Sequence, residues 1–368
     1  MLRLKTVLCA AAAVVALATG ARADYIIGAA GPTSNAEALF GTTWMNGMEL
    51  AIRQANETGG VKGQKLILQR DDDSGDPKQG TLIAQKQCDN AGIVAVIANF
   101  NSGVTIPSSD VYHRCGLAQV TNASNPRVTK AGYKNLFRPI ANDLSQGAAP
   151  AEYALKKLNA KTAAIVHDKQ AFGQGVAEVF RDTFTAGGGK VSSFSGIAQT
   201  DVDFSALLTT LRQEKPDIIY FGGVMPAVGL FVKQARELGL EGTFFAADSA
   251  FTPDFIQGAG SASEGATVSF QAPPYDSSPA LQKFAADYKT AFGEDPGPYS
   301  AYGYTEAAII IEAMKKAGTI DRPGLISEIA KSDFDSVIGH VAFTPEGELQ
   351  KPFIFLYTVK DGKFSLLK

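Results

Sequence analysis

Two short polar turns, Phe100-Asn101-Ser102-Gly103 and Thr121-Asn122-Ala123-Ser124-Asn125, gather amide and hydroxyl groups where apolar runs stop. The first follows IVAVIA at residues 93–98, a continuous apolar run that marks a strand buried on both faces. The second follows a shorter run at residues 117–120. In a parallel sheet both turns would emerge at the carboxyl ends of adjacent strands, where open α/β sheets bind ligands. Ser102 would then lie just before a helix that runs to Arg114, with Pro107 in its first turn. A serine hydroxyl beside the free N–H groups of a helix start suits an anion such as a carboxylate.

Catalytic and metal-binding patterns do not compete with this reading. His113, His167 and His340 are scattered without ligand spacing, and there is no H-E-x-x-H, C-x-x-C, P-loop or G-x-S-x-G. His167-Asp168 at a strand end has acid/base chemistry available, but a packed or capping histidine needs no partner that the sequence lacks. Residues 71–77, DDDSGDP, miss the EF-hand pattern because Asp76 stands where glycine is required, so a solvated turn is expected. Gly258-Ala259-Gly260 lacks the third glycine of a dinucleotide loop and follows a helix. The expectation is a binder and not an enzyme, with no cofactor and no metal.

The elements around these turns alternate. Residues 1–23 read as a secretory signal peptide: a basic start, an apolar stretch and Ala21-Arg22-Ala23 as the cleavage site. The stretch is too short for a transmembrane anchor, and Cys9 stands too early for a lipid-bearing cysteine. The formal charge of −3 becomes −6 once Arg3, Lys5 and Arg22 leave with the leader, so nothing basic remains to attract nucleic acid or an anionic membrane. Cys88 and Cys115 are then an even pair in an oxidising compartment, either bonded or two buried thiols.

After the leader, strands alternate with helices of period 3.6 through to residue 246, with a restart near Asn142. Each alternation implies a right-handed crossover, so the fold class is α/β with two successive parallel units. Residues 281–331 read as three helices, followed by strands at 336–343 and 353–359 and a hairpin turn at 360–363. Such a helical tail has to pack back on the first unit to bury its apolar faces.

Several ordered segments resemble the periplasmic leucine/isoleucine/valine-binding proteins of ABC transporters. These are Gly59-Gly60 with KGQKL at 62–66, DDSGDPKQ at 72–79, GLAQVTNASNP at 116–126, IVHDKQAFGQG at 165–175, YFGG at 220–223 and FTPEGEL at 343–349. The resemblance implies a type I periplasmic binding fold, with two doubly wound Rossmann-like lobes joined by three hinge crossings near Asn142, Phe270 and Glu348. The lobes would be 24–142 plus 271–348 and 143–270 plus 349–368. It implies a periplasmic monomer that captures an apolar L-amino acid by hinge closure and delivers it to a membrane ABC permease. A receptor for an aromatic acid or another small carboxylate, or a ligand-sensing module, are the alternatives.

The resemblance also assigns residues. Ser102, with Asn101 and Phe100 beside it, matches the family's carboxylate-holding serine, and Asn122 and Ser124 match a second carboxylate-binding turn. Asp248 stands where the family has an acid that pairs with the ligand α-ammonium. Phe40 and Tyr299 match aromatic wall positions. Phe172 and Val224 replace tyrosines that the family often places in the cleft, which makes that side more apolar. The plainer alternatives are helix caps for Ser102 and Ser124, a turn residue for Asp248, and core for Phe40, Phe172 and Tyr299.

Overall fold

The computed structural model describes residues 24–367, so the signal-peptide reading of 1–23 lies outside the described residues. The first unit winds β1 (Tyr25–Gly31), α1 (Ala38–Glu57), β2 (Leu66–Asp72), α2 (Pro77–Asp89), β3 (Ile93–Ala98), α3 (Ser102–Cys115), β4 (Ala118–Val120), α4 (Arg127–Lys130) and β5 (Leu136–Phe137). These strands form one parallel sheet in the order β2-β1-β3-β4-β5. The IVAVIA run is its central strand and is almost wholly buried, as a strand covered by helices on both faces must be. The second unit repeats the winding with α5 (Asp143–Lys156), β6 (Thr162–His167), α6 (Ala171–Ala186), β7 (Lys190–Gly196), α7 (Ser205–Glu214), β8 (Ile218–Gly222), α8 (Ala227–Glu237), β9 (Thr243–Ala246), α9 (Pro253–Ala259) and β10 (Thr267–Phe270). Its parallel strands run β7-β6-β8-β9-β10, the same order as in the first sheet.

The chain then returns. α10 (Pro279–Phe292) packs on α1, α11 (Ser300–Lys316) and α12 (Arg322–Ala330) cover the first sheet, and a hairpin of β11 (Asp333–Ser336) and β12 (Gly339–Ala342) follows. Finally β13 (Phe355–Lys360) and β14 (Lys363–Leu366) add antiparallel strands to β10 in the second sheet. α11 lies so close along α1 that a Cβ on Gly47 would stand 2.0 Å from the Ser300 carbonyl oxygen, and one on Gly303 would stand 2.0 Å from that of Trp44. Only glycine permits that approach. The contact is fixed by the buried Trp44 indole, which donates to Glu306 Oε2 at 2.7 Å.

Cys88 and Cys115 are bonded, with Cα atoms 5.9 Å apart. The 27-residue separation makes the bond worth about 3.5 kcal/mol on the chain-entropy model. Arg322 of α12 donates to the Cys88, Asn90 and Cys115 carbonyls, capping the ends of α2 and α3 with a cation.

Four local expectations are corrected. Ser102 opens α3 rather than preceding it, so Pro107 falls inside the helix. The carbonyl that loses its bond, four residues back, belongs to Gly103 at the half-buried cleft rim, where water can replace the donor. The expected strand at 336–343 is the turn and second arm of the β11–β12 hairpin, because Gly339 takes a φ of 122° there. The sequence period does not announce helix α5, which holds Pro150 inside it. The 71–77 turn is not solvated throughout: Asp73 is fully buried, accepting from Asn99 Nδ2 at 2.8 Å and from the Gly75 N–H at 3.0 Å. Burial pushes its carboxyl up to about 6.

Candidate functional site

Both sheets direct the carboxyl ends of their strands at one cleft, whose space is about 680 Å³ with its mouth included. From the first unit come Glu37 after β1, Gly75 and Pro77 after β2, Phe100 to Gly103 after β3, and Asn122 and Ser124 after β4. From the second come Asp168, Gln170 and Phe172 after β6, Gln199 after β7, Val224 after β8, and Asp248 and Ser249 after β9. Tyr299, at the start of α11, completes the wall. This is the edge at which doubly wound sheets hold ligands, because the strand-end turns diverge there.

The structure therefore brings Phe100, Asn101, Ser102, Asn122, Ser124, Phe172, Val224, Asp248 and Tyr299 together around one space. Phe40 stands behind this wall: its ring lies 6.3 Å from that of Phe100 and 5.7 Å from that of Tyr299. Phe100 and Tyr299 meet edge to face at 4.9 Å.

Apart from the Glu37 carboxyl, the first-unit face is made of neutral groups. Ser102 Oγ accepts from the Asn125 N–H at 3.2 Å, which leaves its own O–H to donate. Asn101 caps α3 through its backbone only, so the first N–H groups of the helix keep no side-chain acceptor. The Asn101 amide is used elsewhere: Nδ2 donates to Glu37 Oε2 at 2.7 Å. Ser124 faces Asp143, whose fully buried carboxyl is pushed up to about 7 by desolvation despite that hydroxyl. The turn that carries Asn122 and Ser124 is held from behind. The fully buried Arg138 donates to the carbonyls of Ala123 at 3.0 Å and Asn125 at 2.9 Å while pairing with Glu348.

The second-unit face is acidic. Asp248 Oδ1 accepts from Gln146 Nε2 at 2.9 Å, and Oδ2 accepts from Gln271 Nε2 and from the Tyr299 hydroxyl, both at 2.8 Å. Gln271 Nε2 also bonds Gln146 Oε1, which locks both amides in orientation. Burial raises the Asp248 carboxyl above its ordinary range, and these donors oppose the rise. Asp168 is also buried, and desolvation pushes it up to about 6. His167 beside it packs on Phe194 at 4.8 Å between centroids, and its Nδ1 accepts from the Lys169 N–H at 3.2 Å. The two faces touch through Tyr299–Asp248, Asn125 Nδ2 to the Ala171 carbonyl at 2.6 Å, and Gln199 Nε2 to Glu37 Oε1 at 3.3 Å.

The sequence alone does not mark Glu37, Gln170, Gln199 and Ser249 as cleft residues. Only their position after a strand could have flagged them. Glu37 ends a single 3-10 turn (Asn35–Glu37) that runs into α1, and its partners lie 64 and 162 residues away.

Residues 25–363 match the family model described as periplasmic binding protein. The chain is 34% identical over 366 residues to an amino acid binding protein of Pseudomonas aeruginosa, covering 97% of this chain and 96% of that one. It is 32% identical over 364 residues to Leu/Ile/Val-binding protein homolog 1 of Brucella melitensis, with 98% and 97% covered. The leucine-binding protein LivK of Thermotoga maritima superposes with a TM-score of 0.87 at 28% identity, over 94% of this chain and 98% of that one. Sequence, winding order and cleft agree: this chain belongs to the periplasmic leucine/isoleucine/valine-binding protein family and has the type I periplasmic binding fold.

Proposed function

We propose that this protein is the periplasmic solute-binding component of an ABC importer and captures an apolar, branched-chain-like L-amino acid between its lobes. The observation that carries the reading is polarity: hydroxyl and N–H donors at Ser102 face one side of the cleft, and the Asp248 carboxylate faces the other. A zwitterion fits that pair in one orientation, with its carboxylate on α3 and its ammonium toward Asp248. Phe100, Phe172, Val224 and Tyr299 supply apolar surface for the side chain.

The lobes we assign are 24–142 plus 271–348 and 143–270 plus 349–368. Closing one on the other excludes water and completes the site, so a ligand that touches both lobes favours the closed form. A membrane permease then reads the closed surface. An amine-free acid is disfavoured because its charge would meet Asp248 without a counter-charge.

A thermal-melt panel on the mature chain tests this, with L-amino acids beside their amine-free analogues and Asp248→Asn in parallel. Ligand at a hundred times Kd adds about 2.7 kcal/mol, a shift of roughly 5–10 °C for lobes of this size. Leucine-like amino acids should shift the wild type and not the variant. A shift by amine-free acids alone, equal in the variant, would overturn the substrate class.

A further inference from the structure

One end of the cleft carries carboxyl groups that a zwitterion held between Ser102 and Asp248 does not use. Glu37 and Asp168 line the same space as Asp248, and no Lys, Arg or His lines it. Glu37 receives only neutral donors, from Asn101 and Gln199. Asp168 is 0% exposed, and its Oδ1 accepts from the Gln170 N–H at 2.9 Å. Its Oδ2 meets no partner in hydrogen-bond geometry, although the Val224 N–H also favours the ionised form. Asn122, 5% exposed, likewise leaves Oδ1 unpartnered. Because Glu37 takes the Asn101 Nδ2, the remaining Asn101 oxygen is a third buried acceptor without a donor. Among the described residues, every fully buried side-chain atom of the cleft lining that lacks a partner is thus an acceptor.

Buried acceptors without donors cost free energy until a donor arrives, and buried carboxylates cost more. A leucine-like ligand brings one ammonium and one carboxylate, which leaves Glu37 and Asp168 unanswered. We propose that the Glu37–Asp168 end is a subsite for a second, cationic nitrogen carried at the end of an apolar side-chain stem, so that the ligand range extends to diamino acids. Phe100, Phe172 and Val224 would pack the stem. The proposal rests on the amino-acid reading of the cleft.

L-Lysine and L-norleucine share a six-carbon skeleton and differ only in the terminal ammonium, so the pair isolates this subsite. Titration calorimetry on the mature chain should find lysine at least tenfold tighter than norleucine. Glu37→Gln, checked for native melting, should bring that ratio to within about threefold, the loss expected for a partly desolvated charge pair, and Asp168→Asn should lower it in the same direction. Norleucine binding as tightly as lysine in the wild type overturns the subsite, and so does a ratio unchanged by Glu37→Gln. If norleucine binds and Asp248→Asn abolishes it while lysine fails, the subsite alone is wrong. If neither amino acid binds the wild type, both readings fall.

Discussion

After β3 and β4 the first sheet offers the cleft Asn101, Ser102, Asn122 and Ser124; after β6 and β9 the second offers Asp168 and Asp248. The strand order that delivers these turns is the same in both sheets. Winding therefore sets only the place of each turn, and the residues in it set the sign of its charge. The supports differ accordingly. The neutral first-unit turn is held by a buried cation, Arg138, bonded to its carbonyls, whereas the acid at Asp248 is held by two amides and a phenol. Neutral donors leave Asp248 its charge for a ligand to answer. Glu37 is the exception, a carboxylate on the first-unit side, and it is bonded to Gln199 of the second.

The harshest way to break this contrast is to remove the support of the neutral face. Arg138→Ala leaves Glu348 without its cation and the Ala123 and Asn125 carbonyls without their donor. Losing one partner of a buried ion pair costs about 3–5 kcal/mol. Urea denaturation of the ligand-free protein should show that loss, and a change below about 1 kcal/mol would mean the turn is held by its own backbone.

The acidic face should show itself in pH dependence. Asp143 and Asp168 belong to the second unit, and burial holds them at about 7 and about 6, against an ordinary carboxyl at 3.8; Asp73 of the first unit, at about 6, adds to the same slope. Between the unfolded and folded values the native state binds more protons than the unfolded chain. Stability must therefore fall as pH rises from about 4 to about 7. The melting temperature should be higher at pH 5 than at pH 8 by at least about 2–4 °C, the shift that one kcal/mol gives a lobe-sized domain. Asp143→Asn should flatten the slope. A melting temperature that rises from pH 5 to pH 8 would show that other groups dominate.

How far the sequence foretells these features depends on whether the responsible contacts are local. The turns at Ser102 and Ser124 were legible because an apolar run ends beside each of them. Helix α5 was not, because Gly147 and Pro150 interrupt its period, yet the helix tolerates the proline inside it. Arg138 gave no signal: it sits directly after a short buried strand, and its partner Glu348 is 210 residues away. The cysteine pairing stayed open from counting alone, and the packing of α2 against α3 decides it. Asp248 was placed by its strand end and by resemblance. Its cage was not, since Gln146, Gln271 and Tyr299 come from three distant segments.

The finest test acts where the two faces meet. Tyr299 approaches from the first-unit side through α11, and its hydroxyl donates to Asp248 Oδ2. Together with the two glutamines it brings three donors to a carboxylate whose lone pairs can accept about four. An arriving ammonium takes the remaining place or displaces one of them, and the phenol is the donor contributed from across the cleft. Tyr299→Phe keeps the ring contacts with Phe40, Phe100 and Phe270, so packing is preserved while one charge-directed bond is lost. If the hydroxyl helps hold the lobes together around the ligand, affinity should fall by roughly five- to tenfold, about 1 kcal/mol or slightly more. If instead the hydroxyl competes with the ammonium, the variant should bind more tightly. Calorimetric titration separates the two by sign. A loss would place Tyr299 with the groups that complete the acidic face, and a gain would make it a stand-in for the ligand amine.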